Sequence, residues 1–303
     1  MTHPLTTEKE PDVPVNGFLA QMHLDPAGPD RWSAGTGGGP AGVARGVLAA
    51  QAMVAAGRSV DTRWRWVHAV HVTHLGEGEP AGPVEHRVER VHDTDHGAVR
   101  LVRSAQGGNP LALATVTFAT PRRGRGPTHQ DAPAPDDLPD PHALPATVTA
   151  GSLDVRHVDR PRWERAATPA ARNRIWMRFT EEIPDEILLH AAALVRAADL
   201  LLVEPVAPPP TGEWTDLETG RGLRTAALDL SVRFHRGFRA DDWILHEHES
   251  PSAADYRAFT TGRFLSSMGR LVATVSQETA LLPVAEHTTA ALSSAGPRTP
   301  EDG

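Results

Sequence analysis

No cysteine occurs among the 303 residues, so a disulfide framework, a thiolate metal site and a cysteine nucleophile are all excluded. Positive charge is also scarce: 30 Lys and Arg against 38 Asp and Glu leave a formal net charge of -8. Nucleic-acid binding needs clustered cations on the phosphates, so it is excluded as the main role. The most apolar segments are interrupted by charges before the roughly 18 uninterrupted residues that a membrane span needs. The polar, proline-containing start, MTHPLTTEKEPDVPVNG, lacks the apolar run of a secretory signal. Together these absences read as a soluble, cytoplasmic protein. There is no glycine-rich phosphate loop in a strand–helix context and no G-x-S-x-G elbow.

What is present is enough core for two domains, with 40% hydrophobic residues over this length. Residues 1–15 read as a disordered tail and 285–303 as another. Between them, Gly17–Leu24 reads as a first strand. The segment Ala41–Ala56 is rich in helix formers and apolar on nearly every side, which marks a helix enclosed by protein and stopped by Gly57. Four strand candidates follow at Trp66–Leu75, Pro83–Val91, Ala98–Ala105 and Leu111–Thr120. A proline-rich linker spans 122–150, with Arg122, Arg123 and Arg125 at its start; these read as a solvated loop in preference to a phosphate contact. The second half repeats the plan. It has strands at Leu153–Asp159 and Arg172–Thr180, a helix opening at Pro184-Asp-Glu and running to Asp199, and strands at Leu223–His235, Trp243–Ser250, Tyr256–Ser266 and Arg270–Leu282. One enclosed helix followed by a meander, twice over, predicts an α+β fold of two domains, 16–121 and 151–284.

The repeat is visible in the letters. Ala114-Thr115-Val116-Thr117 matches Ala273-Thr274-Val275-Ser276, but Phe118 stands where Gln277 does. Leu271, Ala273, Val275 and Gln277 fall on one strand face, so three apolar side chains are followed by an amide. Burying that amide without partners costs about 1–3 kcal/mol. On the helix, Leu188, Ala192, Val195 and Asp199 form one stripe, which a carboxylate continues. Each has a bland reading: a local hydrogen bond near the helix end for Asp199, a satisfied structural amide for Gln277. Together they could hold one water at the helix–sheet seam, the carboxylate taking its proton and the amide orienting it. Of the sixteen histidines, His68, His71 and His74 alternate faces of a strand, and His246 and His248 share a face without a third metal ligand.

An ordered series of strings then resembles the bacterial acyl-CoA thioesterase II (TesB-like) family. Val67-His-Ala-Val-His71 with Leu75 is similar to its V-H-S-F-H string. Arg100, Val102, Gln106, Gly108 and Pro110 follow its R-x-V-x-x-x-Q-x-G-x-P pattern, with Phe118 and Pro121 after them. In the second half Ile175-Trp176-Met177-Arg178, Ala198-Asp199-Leu200, Asp229, Phe234-His235-Arg236, Trp243, Arg257, Gly262, Gly269 and Leu271–Glu278 continue the series. The resemblance runs from about Gly17 to Pro283.

It implies a double hot-dog fold, two antiparallel sheets each wrapped around a long buried helix. It also implies hydrolysis of acyl-CoA to free acid and CoA, with no metal or redox cofactor and an oligomeric state built on paired sheets. In that family an Asp, a Thr and a Gln position the hydrolytic water. Asp199 and Gln277 occupy the first and third places, but Ala227 stands at the second. Loss of that hydroxyl is expected to lower the rate on the order of 10²-fold, unless Thr225, on the same strand face, replaces it through a bulge. Arg45-Gly46-Val47 stands where the family favours G-G-Q. Two alternatives follow from these departures. One is an enoyl-CoA hydratase or dehydratase, disfavoured because no histidine accompanies Asp199 in the second half. The other is an acyl-CoA-binding protein weakened in catalysis by Ala227.

Overall fold

Two apolar helices form the axes on which the strands wrap. The computed structural model describes residues 17–35, 44–61, 66–79, 82–120, 128–132, 135–146, 148–150, 152–159, 172–203, 205–206 and 223–283. The expected tails at 1–15 and 285–303 lie outside the described residues. The first half consists of α1 (Phe18–Gln21), β1 (Asp25–Gly28), β2 (Arg31–Ala34), α2 (Arg45–Arg58), β3 (Val67–His74), β4 (Val84–Asp93), β5 (Gly97–Gln106) and β6 (Asn109–Ala119). The second consists of β7 (Val148–Ala150), β8 (Leu153–His157), β9 (Arg172–Phe179), α3 (Ile187–Leu201), β10 (Leu223–Ala227), β11 (Asp229–Phe234), β12 (Ile244–Ala254), β13 (Arg257–Ser266) and β14 (Leu271–Pro283).

The two sheets expected from the sequence are joined. β3 of the first half pairs antiparallel with β11 of the second, making one 14-stranded sheet in the order β1-β2-β4-β5-β6-β3-β11-β14-β13-β12-β9-β8-β7, with β10 also paired to β14. The order outward from the β3–β11 junction is the same on both sides: β3-β6-β5-β4-β2 matches β11-β14-β13-β12-β9. The repeated letters therefore occupy equivalent strands, β6 and β14. Among the described residues no helix is long and apolar enough to cross a membrane.

Several expected elements differ. Gly17–Leu24 contains a helical turn, α1, in place of a strand. Its leading N–H groups, those of Phe18 and Leu19, donate to the Glu181 carboxylate, and Phe18 packs on Phe179 with ring centroids 5.0 Å apart. A short apolar run carries no periodicity long enough to separate the two states, and this tertiary anchor decides it. The helix α3 starts at Ile187, so Pro184, Asp185 and Glu186 precede its first turn. The strand expected over Leu223–His235 is split at Leu228, whose N–H donates to Glu278 O and whose carbonyl accepts from the His74 N–H. Part of the proline-rich 122–150 segment is bound down: the Gln130 side chain donates to Gly269 O and accepts from the Leu271 N–H, and β7 begins within it.

Gly57 does not end α2; the helix continues to Arg58. Its role is packing. α2 and α3 lie antiparallel against each other, with Gly46 against Asp199 at one end and Gly57 against Leu188 at the other. A methyl group on Gly46 would fall 2.7 Å from Arg196 O and 3.0 Å from Asp199 Cβ, whereas one on Gly57 would meet only the movable end of Leu188. Gly46→Ala is therefore expected to destabilise the fold by about 1–3 kcal/mol through overpacking against backbone. Gly57→Ala should lose less, because the Leu188 side chain can give way and alanine favours the helix. Urea denaturation midpoints of the two variants check the order.

Candidate active site

The packing of the helices decides where the chemistry can lie. Asp199 sits in the last turn of α3, where the helix dipole repels a carboxylate, but the antiparallel arrangement sets the positive end of α2 beside it. The Gly46 N–H donates to the carboxylate. From the sheet, Gln277 of β14 donates its Nε2–H to Asp199 Oδ1 at 3.1 Å. The two residues singled out from the sequence are thus in contact, 78 positions apart in the chain, and neither has only the local partner of its bland reading.

Burial dominates the electrostatics. The Asp199 side chain is 13% exposed, and loss of water pushes its pKa from the ordinary 3.8 up to about 6, against the Arg45 guanidinium and the Gly46 and Gln277 hydrogen bonds, which favour the charge. Arg45 also donates to the carbonyl of Ala227, tying the start of α2 to β10.

The missing hydroxyl has a neighbour. β10 and β14 pair regularly, with Ala227 opposite Thr279 and Thr225 opposite Leu281, so no bulge moves Thr225 into the place of Ala227. Thr279 is fully buried, shares the Gln277 face of β14, and its hydroxyl lies 3.4 Å from Gln277 Oε1. An O–H donated to Oε1 fixes the amide with its N–H₂ toward Asp199. Sequence reading passed over Thr279 because it follows Gln277 and Glu278 without continuing any motif.

His74 is the second residue passed over. It ends β3, its side chain has 0% exposure, and its Nε2 is 3.8 Å from Asp199 Oδ1. Burial, with Arg45 nearby, lowers its pKa to about 3, so it is neutral. The ground for setting aside a hydratase is that no histidine of the second half accompanies Asp199; the histidine that approaches it comes from the first half, so that ground no longer separates the two readings. His68 and His71 are exposed on β3. His246 and His248 stack on each other with centroids 4.2 Å apart inside the second half, and among the described residues no group of three or more His, Asp or Glu is placed to hold a metal ion.

Other residues of the ordered strings serve the frame. Arg100, almost fully buried, donates to Ser59 at the end of α2 and pairs with Asp93 at 2.7 Å. Gln106 closes the loop before β4 through Glu79 and Gly82. Asp229 accepts the Glu278 N–H at 2.7 Å, holding β14 beside the β10–β11 break and next to Gln277.

Comparison with known proteins agrees with this architecture. Residues 29–119 match the acyl-CoA thioesterase N-terminal domain and residues 127–281 the acyl-CoA thioesterase C-terminal domain. The structure of an acyl-CoA thioesterase II, TesB2, from Mycobacterium marinum superposes with a TM-score of 0.73 at 30% identity, covering 89% of this chain and 99% of that one. A tesB protein from Mycobacterium avium subs paratuberculosis gives a TM-score of 0.74 at 25% identity over 88% of this chain and 98% of its own. Acyl-coenzyme A thioesterase 8 from Mus musculus is 26% identical over 257 residues, 77% of this chain and 78% of the mouse protein. Two tandem hot-dog halves around buried helices define the class of protein. Within that class, the chain belongs to the acyl-CoA thioesterase II family.

The raised pKa carries a stability consequence. A carboxyl whose folded pKa lies above its unfolded value is penalised when ionised, so the penalty is full above about pH 6 and gone below 3.8. Asp199→Asn is expected to stabilise the protein at pH 8 by up to about 3 kcal/mol. The gain should shrink as pH falls from 6 toward 4, as read from urea midpoints across that range.

Proposed function

We propose that this acyl-CoA thioesterase activates its hydrolytic water at Asp199, with Gln277 and Thr279 as the orienting pair. The observation carrying this reading is the 3.1 Å hydrogen bond from Gln277 to an enclosed Asp199. Ionised Asp199 accepts a proton from the water as the water oxygen bonds to the thioester carbonyl carbon. The C–S bond then breaks, the sulfur leaves with its electron pair as CoA and takes up a proton, and the free acid remains. A carboxylate raised to about 6 is still ionised at neutral pH and more basic than an ordinary one, as a general base requires. Gln277 directs an N–H into the same space, where it can orient the water or the carbonyl.

Release of free CoA from a panel of acyl-CoA chain lengths, wild type beside Asp199→Asn, tests this. Asp199→Asn should abolish turnover with the fold intact, and wild-type kcat/KM should fall as pH drops through about 6. Turnover by the Asn variant at the wild-type rate sinks the assignment. The His74–Asp199 approach at 3.8 Å is the one feature that favours hydration of an enoyl-CoA instead. Mass spectrometry of crotonyl-CoA products separates the two, since hydrolysis releases CoA while hydration leaves the thioester intact.

Thr279 supplies the fixed hydroxyl that Ala227 lacks. Thr279→Val is expected to lower kcat roughly tenfold, the scale of one lost hydrogen bond in an enclosed site. Adding Ala227→Thr to that variant, directly across the strand pair, should recover part of the loss.

A further inference from the structure

His74 is placed by the first half and faces a carboxylate of the second. Neither of its ring nitrogens has a hydrogen-bond partner among the described residues, although both are buried. A buried donor left without an acceptor is unfavourable, and such groups in native proteins generally have a use. Nε2 lies 3.8 Å from Asp199 Oδ1, the oxygen that already holds Gln277. A carboxylate only accepts, so the tautomer that suits this arrangement carries its proton on Nε2. The charged or titratable groups identified facing His74 are Arg45 from α2 and Asp199 from α3. Its sheet neighbours at that level are the methyl of Ala112 on β6 and the backbone carbonyl of Leu228.

We propose that His74 is a positioning residue for hydrolysis, its Nε2–H closing onto Asp199 Oδ1 and the water held there when substrate binds. The proposal rests on Asp199 being the base. Catalytic hydrogen bonds that are long in the free enzyme commonly tighten in the substrate complex, and 3.8 Å is within a small rotation of contact. His74 transfers no proton in this role. It is neutral throughout the working range, and its donor stabilises the ionised carboxylate and fixes which lone pair meets the water. The active site is therefore assembled from both halves: Gly46, Arg45 and His74 from the first, Asp199, Gln277 and Thr279 from the second.

The test is the pH profile of CoA release by His74→Phe and His74→Gln beside wild type, with melting curves to verify folding. Phenylalanine keeps the ring and removes the donor. It should reduce kcat about ten- to a hundredfold and move the acid limb of kcat, which reports the substrate complex, up by roughly one pH unit, because the carboxylate there loses a hydrogen bond to its charged form. Glutamine retains a donor and should hold the acid limb at its wild-type position with part of the rate. A folded His74→Phe enzyme with an unmoved acid limb and unchanged rate overturns the proposal. Should the Phe variant fail to fold, the Gln variant decides, and an upward shift of its acid limb overturns it. Activity retained in Asp199→Asn removes the base itself. An inactive Asp199→Asn beside an unaffected His74→Phe removes only the role given to His74.

Discussion

The close antiparallel contact of α2 with α3 is the constraint on which the rest depends. It exists because Gly46 has no side chain: a single carbon there would stand 2.7 Å from the backbone of α3. With the helices in contact, the amino end of α2 offers an N–H and a positive dipole to a carboxylate that its own helix end would repel. The same contact encloses that carboxylate, which is why it is held less acidic than an exposed one. Had the helices been spaced by ordinary side chains, Asp199 would be wetter and more acidic.

Much of the frame and two residues of the candidate site were legible in the letters. The α+β plan, the enclosed helices and eight of the longer strands follow from helix formers, turn residues and alternation, because those signals are local. Asp199 and Gln277 were legible for the same reason: each breaks an apolar face at its end. His74 obeys that rule too, since Val70, Val72 and His74 share the buried face of β3 just as Ala273, Val275 and Gln277 share that of β14. The three-residue spacing of His68, His71 and His74 distracts from the two-residue period that matters in a strand.

Other features could not be read from local pattern. Thr279 gains meaning only from its register opposite Ala227, and Arg45 only from reaching Ala227 O across 182 residues. The break at Leu228 and the junction of β3 with β11 are likewise products of elements distant in sequence meeting in space. The helical turn at Phe18 depends on a carboxylate more than 160 positions away.

The doubled frame has two ends, and they are not alike. Repeating the contact of Gly46 with Asp199 at the other end of the helix pair brings Gly57 against Leu188, and the strand position of Gln277 is repeated by Phe118. Where one end carries an acid and an amide, its twin carries a glycine, a leucine and a phenylalanine. The chain is thus pseudo-symmetric, but the acid and the amide of the candidate site meet at one pole alone, while Leu188 and Phe118 stand at the equivalent places of the other. Doubling the frame has therefore not doubled the acid–amide pair, which this helix pair holds once.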